Sequence, residues 1–138
     1  MLKMQDITCG EDAAQVTEAA KAILLPAVTE LKAYGRPERL IGIGGSCTTA
    51  VAIMQGAYLG SDNTDYHELK RDEVERQLTM LAGMTPEERK QVKGLPETRV
   101  KHMPHGLCIL LAAMELLEED RIYVTGRTIL DGYLLFGK

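Results

Sequence analysis

No apolar run in these 138 residues approaches the roughly 18 that a membrane-spanning helix requires. The stretch from Ile109 to Met114 is apolar but ends at Glu115. Met1 to Asp12 holds no cationic segment followed by an apolar one, so it does not read as a signal peptide. Cysteine is scarce: Cys9, Cys47 and Cys108 are far apart, odd in number and without a CxxC pair. That pattern points to reduced thiols in a cytoplasmic protein rather than to a disulfide framework. No lysine- or arginine-rich stripe stands out and the formal net charge is -4, which argues against nucleic acid as a partner. There is no internal repeat and no low-complexity tract. What remains is 45% hydrophobic and 26% charged residues, the balance of a folded soluble domain with a core of its own.

Apolar residues recur at helical spacing from Glu11 to Ala33, through Val16, Ala20, Ile23, Leu24, Val28 and Leu31. Pro26 inside that pattern predicts a kink or a break, and Tyr34-Gly35-Arg36-Pro37 a stop. Arg39 to Gly45 is a short apolar run ending in glycines, which reads as a buried strand reaching a tight turn. Ser46 to Met54 then suits a buried helix. A polar loop follows at Gly60 to Asp65, and a charged amphipathic helix from about Glu68 to Ala82, with Leu69, Val74, Leu78 and Leu81 as its stripe. Thr85-Pro86-Glu87-Glu88 has the form of a capping box with proline at the first helical position, opening a short helix that ends near Gly94. Pro104-His105-Gly106 opens another helix. Arg121 to Thr125 is a second strand ended by Gly126, and Ile129 to Phe136 a last short helix.

Both strands are followed by helices, so the class is α/β, with a parallel sheet sandwiched between helices. Two strands leave both edges in need of partners. On these grounds the chain belongs to something larger, or is completed by a second copy of itself.

The turn Gly42-Ile43-Gly44-Gly45-Ser46-Cys47-Thr48-Thr49 carries the clearest chemical signal. A helix N-terminus presents unpaired N–H groups and partial positive charge. Glycines let the backbone approach a phosphate closely, and Ser46, Thr48 and Thr49 add hydroxyls. No Gly-Lys-Ser/Thr follows, so this is not a Walker A loop, and Cys47 stands where a dinucleotide fingerprint needs its third glycine. The alternative is a tight turn capped by Ser46 that holds no ligand.

Three segments, in order, resemble the C-terminal region of the exopolyphosphatase/guanosine pentaphosphate phosphatase (Ppx/GppA) family. Ile41 to Ile53 is similar to that family's GxGGTxTTLAAI. Met84 to Lys90 with Gly94-Leu95-Pro96-Glu97-Thr98-Arg99 is similar to TPEER…GLPxER. Gly106 to Leu110 with Arg121 to Gly132 is similar to AGALIL…IxVSDRGLREGLL. The departures are Ser46-Cys47 in place of threonine and a small neighbour, Lys101-His102 where aspartate is common, and Gly126 where the family often has aspartate.

The resemblance implies a partial ribonuclease-H-like subdomain of the actin/Hsp70/sugar-kinase type. Residues 1–138 would form one C-terminal subdomain supplying about two parallel strands and flanking helices. It implies polyphosphate or guanosine pentaphosphate as the substrate of the intact enzyme, with Mg²⁺. The family's phosphate loops DxGSNS and DxGGGSTE and its catalytic glutamate would lie before Met1, so no catalytic residue and no metal ligand is assigned here. The segment alone is expected to be inactive, contributing phosphate contacts from Gly44, Gly45, Ser46, Cys47, Thr48 and Thr49. Arg127, after the second strand, is the other candidate contact, because ligands of open α/β sheets gather at strand carboxyl ends. Its alternative is an ion pair with Asp131 or Glu119.

Cys47 reads either as a reactive thiol at a helix start or as a small residue filling the turn. His102 and His105 lack the further ligands that zinc would need. The rival reading of the whole chain is a stand-alone, non-enzymatic phosphate- or nucleotide-binding module that forms a homodimer through its incomplete sheet.

Overall fold

The structure, a computed structural model, describes residues 6–60 and 65–137. Helix α1 spans Gly10–Lys32, with Glu11 and Asp12 in its first turn and Lys32 in its last, each placed to suit the helix dipole. The helix runs through Pro26 without the break that proline predicts. Ala20 and Val28 on either side of it are buried, and α1 packs chiefly on helix α5 (Met103–Leu116). That packing carries the chain past the missing hydrogen bond.

The expected parallel pair is present: β1 (Ile41–Gly42) lies beside β3 (Arg121–Val124), Ile41 opposite Tyr123 and Gly42 opposite Val124. A third strand joins it. Residues His67–Lys70, of which Glu68 to Lys70 are expected from the sequence to start a helix, form β2, antiparallel to β3 in the order β1-β3-β2. Helix α3 begins only at Arg71 and runs to Ala82. In β2 only Leu69 is buried, so the strand shows no alternation of apolar residues to read. The loop expected at Gly60 to Asp65 lies mostly outside the described residues.

One face of this sheet is the core. Leu69 pairs with Ile122, and both, with Val124, are buried under α2 (Gly45–Gln55), α3 and α5. Val51, Val74, Leu81, Leu107 and Met114 fill the space between, each contributing about 1.5–3 kcal/mol by leaving water. The other face is not sandwiched. Ile41 and Ile43 remain 50% and 43% exposed, so β1 is an open edge strand and not the buried one expected. Arg39 lies over the Tyr123 ring, 5.5 Å from its centroid, on the same open side.

Thr85 caps α4 (Pro86–Arg89) through a complete capping box: its amide donates to Glu88 Oε2 at 2.7 Å and its hydroxyl accepts from the Glu88 amide at 3.3 Å. The helix stops at Arg89 rather than near Gly94, and hydrogen-bonded turns carry the chain on. Arg89 is buried, and burial lowers the pKa of its guanidinium. It donates to the carbonyls of Leu81 (2.8 Å), Ile7 (2.8 Å) and Val100 (3.4 Å). Helix α6 spans Ile129–Phe136 and is also opened by a capping box, between Thr128 and Asp131. Among the described residues no helix is long and apolar enough to cross a membrane.

Candidate functional site

Strand β1 delivers the chain to Ile43, and Gly44 turns it at φ 91°, ψ 173°, a conformation open to glycine. Gly44 is the N-cap of α2 and no side chain caps it, so Ser46 lies inside the first helical turn rather than at its cap. The first satisfied amide is that of Thr48, which donates to the Gly44 carbonyl at 3.1 Å. Among the described residues, the amides of Gly45, Ser46 and Cys47 have no hydrogen-bond partner. Three N–H groups at the positive end of an 11-residue helix therefore stand bare.

The hydroxyls are used differently. The Ser46 side chain packs against the α-carbon of Gly106, on α5, where a Cβ would displace it. Thr48 Oγ1 donates back to the carbonyls of Gly44 (3.2 Å) and Gly45 (3.4 Å), and Thr49 is buried. Cys47 is half-buried against Gly42, and that burial raises its thiol pKa, so it fills the turn as a neutral thiol. Of the six expected residues, Gly45, Ser46 and Cys47 carry the bare amides, Gly44 makes the turn, and Thr48 and Thr49 turn their side chains to the helix backbone and the core.

A residue not singled out from the sequence completes the turn. The guanidinium of Arg99 lies directly on the α-carbon of Gly45, where any Cβ would overlap it. Arg99 has no ion-pair partner among the described residues. Its position follows from the segment before it. Gly94, at φ 87°, presses its α-carbon against the Ala52 carbonyl of α2, and Leu95 is buried. Pro96 then opens the 3₁₀ turn Glu97–Arg99, which brings Arg99 to the start of α2. The signal was present in Gly94-Leu95-Pro96-Glu97-Thr98-Arg99, which the resemblance had already isolated.

Arg127 sits elsewhere. It precedes the Thr128 cap of α6 rather than beginning the helix, and lines a cleft of about 360 Å³ with Ile41, Ile43, Tyr66, Thr125 and Leu135 on the open side of the sheet. Neither expected ion pair forms: Asp131 accepts from the Thr128 amide and hydroxyl, which lower its carboxyl pKa, and Glu119 pairs with Arg36 at 3.2 Å. Arg127 thus reaches the neighbourhood of Ile43 and not the bare amides. Among the described residues no three of His, Cys, Asp or Glu cluster to hold a metal.

A family model for the Ppx/GppA phosphatases matches residues 2–136. The chain belongs to the Ppx/GppA phosphatase family. Solved structures bear out the fold for this Ppx/GppA chain. A crystal structure of the Aquifex aeolicus Ppx/GppA family member gives a TM-score of 0.78 at 21% identity, covering 95% of this chain and 42% of that one. The exopolyphosphatase from Cytophaga hutchinsonii ATCC 33406 gives 0.75 at 20% identity, covering 97% and 44%. An exopolyphosphatase-like protein gives 0.72 at 20% identity, covering 96% and 45%. The Ppx/GppA chain described here therefore spans less than half the length of the structures it resembles. No curated protein matches it.

Proposed function

We propose that this chain is the phosphate-holding part of a phosphoanhydride hydrolase of the exopolyphosphatase/guanosine pentaphosphate phosphatase type, and that by itself it binds phosphate without hydrolysing it. One observation carries the reading: the Arg99 guanidinium rests on Gly45 beside three bare amides. A cation at a helix N-terminus is unfavourable unless an anion lies between them, because both are positive. A terminal phosphoryl group would accept from the amides of Gly45, Ser46 and Cys47 and from Arg99 at once. Each charged hydrogen bond is worth about 1.5–3 kcal/mol.

Binding and orienting is the whole of what these residues offer. Hydrolysis of a phosphoanhydride adds water and releases orthophosphate, and needs a base placed on that water. The first turn of α2 holds no acidic residue, and burial raises the pKa of the Cys47 thiol, which favours its protonated form. Mg²⁺, when bound in an intact enzyme, would screen phosphate charge. The three free thiols suit a reducing, cytoplasmic setting.

Calorimetric titration of the 138-residue chain with tripolyphosphate tests the reading. Arg99→Ala is expected to weaken binding roughly tenfold or more, the equivalent of one charged hydrogen bond, with no orthophosphate released by either protein in Mg²⁺. Affinity untouched by Arg99→Ala, or steady turnover by the chain alone, would refute it. The second reading, a module that pairs with its own copy, draws on the uncovered sheet face and predicts a discrete dimer in solution.

A further inference from the structure

The anion-binding turn leaves a second cationic feature of the chain unused. A cleft of about 430 Å³ opens between the segment before α1 and the Thr85 cap of α4. Asp6, Ile7, Met84, Pro86, Arg89 and Lys101 are among its lining residues. Arg89 is 4% exposed, yet it reaches this cleft. A guanidinium carries five N–H groups. Three are taken by the carbonyls of Ile7, Leu81 and Val100, which leaves two without an acceptor among the described residues. Lys101, exposed in the same cleft, makes no ion pair or hydrogen bond among the described residues. The carboxylates nearby in sequence are committed elsewhere. Asp12 accepts from the Thr8 amide and hydroxyl at 2.9 and 2.7 Å, Glu88 is held in the capping box, and Glu87 and Glu97 both pair with Lys90. Asp6 is the one acidic residue of the lining, and it pairs with neither cation.

We infer that this cleft binds a small organic monocarboxylate, its carboxylate on Arg89 and Lys101 and its apolar body along Ile7, Met84 and Pro86. A second cation facing a guanidinium that already lacks a counter-ion is unfavourable until an anion enters. Charge and size select the class. Arg89 and Lys101 bring two positive charges and Asp6 one negative, so the lining carries one net positive charge and balances a single negative one. Two spare N–H groups on a planar guanidinium match the two oxygens of a carboxylate. The volume is that of a small-molecule site and exceeds what a lone inorganic anion fills. A phosphate chain, with several charges and no apolar body, suits the α2 turn and not this cleft. The inference stands apart from the function proposed above, which uses Arg99 and the α2 amides.

Calorimetric titration of the 138-residue chain with acetate, butyrate and hexanoate tests this. One molecule is expected to bind per chain, with affinity rising roughly fourfold for each methylene that leaves water. Hexanamide, the same body without the charge, should bind at least roughly tenfold more weakly than hexanoate, and succinate more weakly than butyrate. The guanidinium resonances of Arg89 should shift in NMR spectra as hexanoate is added. Lys101→Met should weaken hexanoate roughly tenfold and leave tripolyphosphate unchanged, whereas Arg99→Ala should do the reverse. Lys101→Asp supplies a tethered carboxylate in place of the ligand. It should abolish hexanoate binding and raise the Tm of the ligand-free chain. No binding by any acid of the series, equal binding of hexanoate and hexanamide, or Arg89 resonances that stay still would overturn the inference. Hexanoate affinity untouched in both Lys101 variants would overturn it too, as would a preference for succinate or orthophosphate over hexanoate. Hexanoate binding lost in Arg99→Ala would show that the acid sits at the turn and would sink the second site alone.

Discussion

Gly45 and Gly94 each have another group resting on the α-carbon, yet their replacement is expected to act in opposite ways. At Gly45 the group is the far end of the flexible Arg99 side chain, which can swing aside. Gly45→Ala should leave the Tm unchanged or slightly higher, since alanine suits a helix better than glycine by about 1 kcal/mol. Tripolyphosphate affinity should fall roughly tenfold, because Arg99 is displaced from the turn. At Gly94 the group is the Ala52 carbonyl of the backbone, and φ is 87°. Gly94→Ala is strained in itself and pushes on α2, so a loss of about 2 kcal/mol or more is expected in urea unfolding. If Gly45→Ala lost as much stability as Gly94→Ala, the Arg99 contact would be structural and not a site waiting for an anion. The sequence made the glycines and hydroxyls of the turn legible, but not what each hydroxyl touches. Thr48 and Thr49 look like donors in one dimension, and become a helix-backbone bond and a core residue once the helical phase is set by Gly44. Arg99 could be quoted as part of a motif, but its partner at Gly45 is distant in sequence, and no periodicity links the two.

At the scale of elements, helices were legible wherever an apolar stripe or a cap marked them. Thr85 with Glu88 and the stripe of α1 are the clear cases. Strand β2 was not, because its pairing with β3 is a tertiary event, and Leu69 alone continues the helical stripe of Val74, Leu78 and Leu81. Pro26 misled in the other direction: the rule that proline ends a helix is a cost, and packing of Ala20 and Val28 outweighs it. That cost should be recoverable. Pro26→Ala restores a donor to the Ala22 carbonyl at an exposed position, against a loss of rigidity in the unfolded chain. Thermal unfolding should show a gain of about 1–2 kcal/mol and no change in tripolyphosphate affinity. A loss of stability would mean that Pro26 is placed to suit a bend the fold requires.

Across the whole molecule, the segment before α1, the end of α3 and the segment that carries Arg99 are held together by the buried guanidinium of Arg89. Arg89 ties the segment at Ile7, the end of α3 at Leu81 and the residue after Arg99, Val100, through three carbonyls. No carboxylate among the described residues pairs with it, so its burial is compensated by these carbonyl dipoles alone. Arg89→Met keeps the apolar stem and leaves three acceptors without their donor, a loss of about 3 kcal/mol once partial access to water is allowed. Arg89→Lys should recover less than half of it, because one ammonium cannot span the positions that a planar guanidinium bridges. The Val100 bond extends the consequence to the site. When it is lost, the 3₁₀ turn that carries Arg99 is anchored only from the Gly94 side, and tripolyphosphate affinity should fall several-fold in Arg89→Met at temperatures where the protein is still folded. Pro26→Ala, which touches neither anchor, supplies the control: stability moves there and affinity does not. If Arg89→Met unfolds at lower urea with full affinity, then Gly94 and Leu95 alone place Arg99, and the clamp serves the fold without serving the turn.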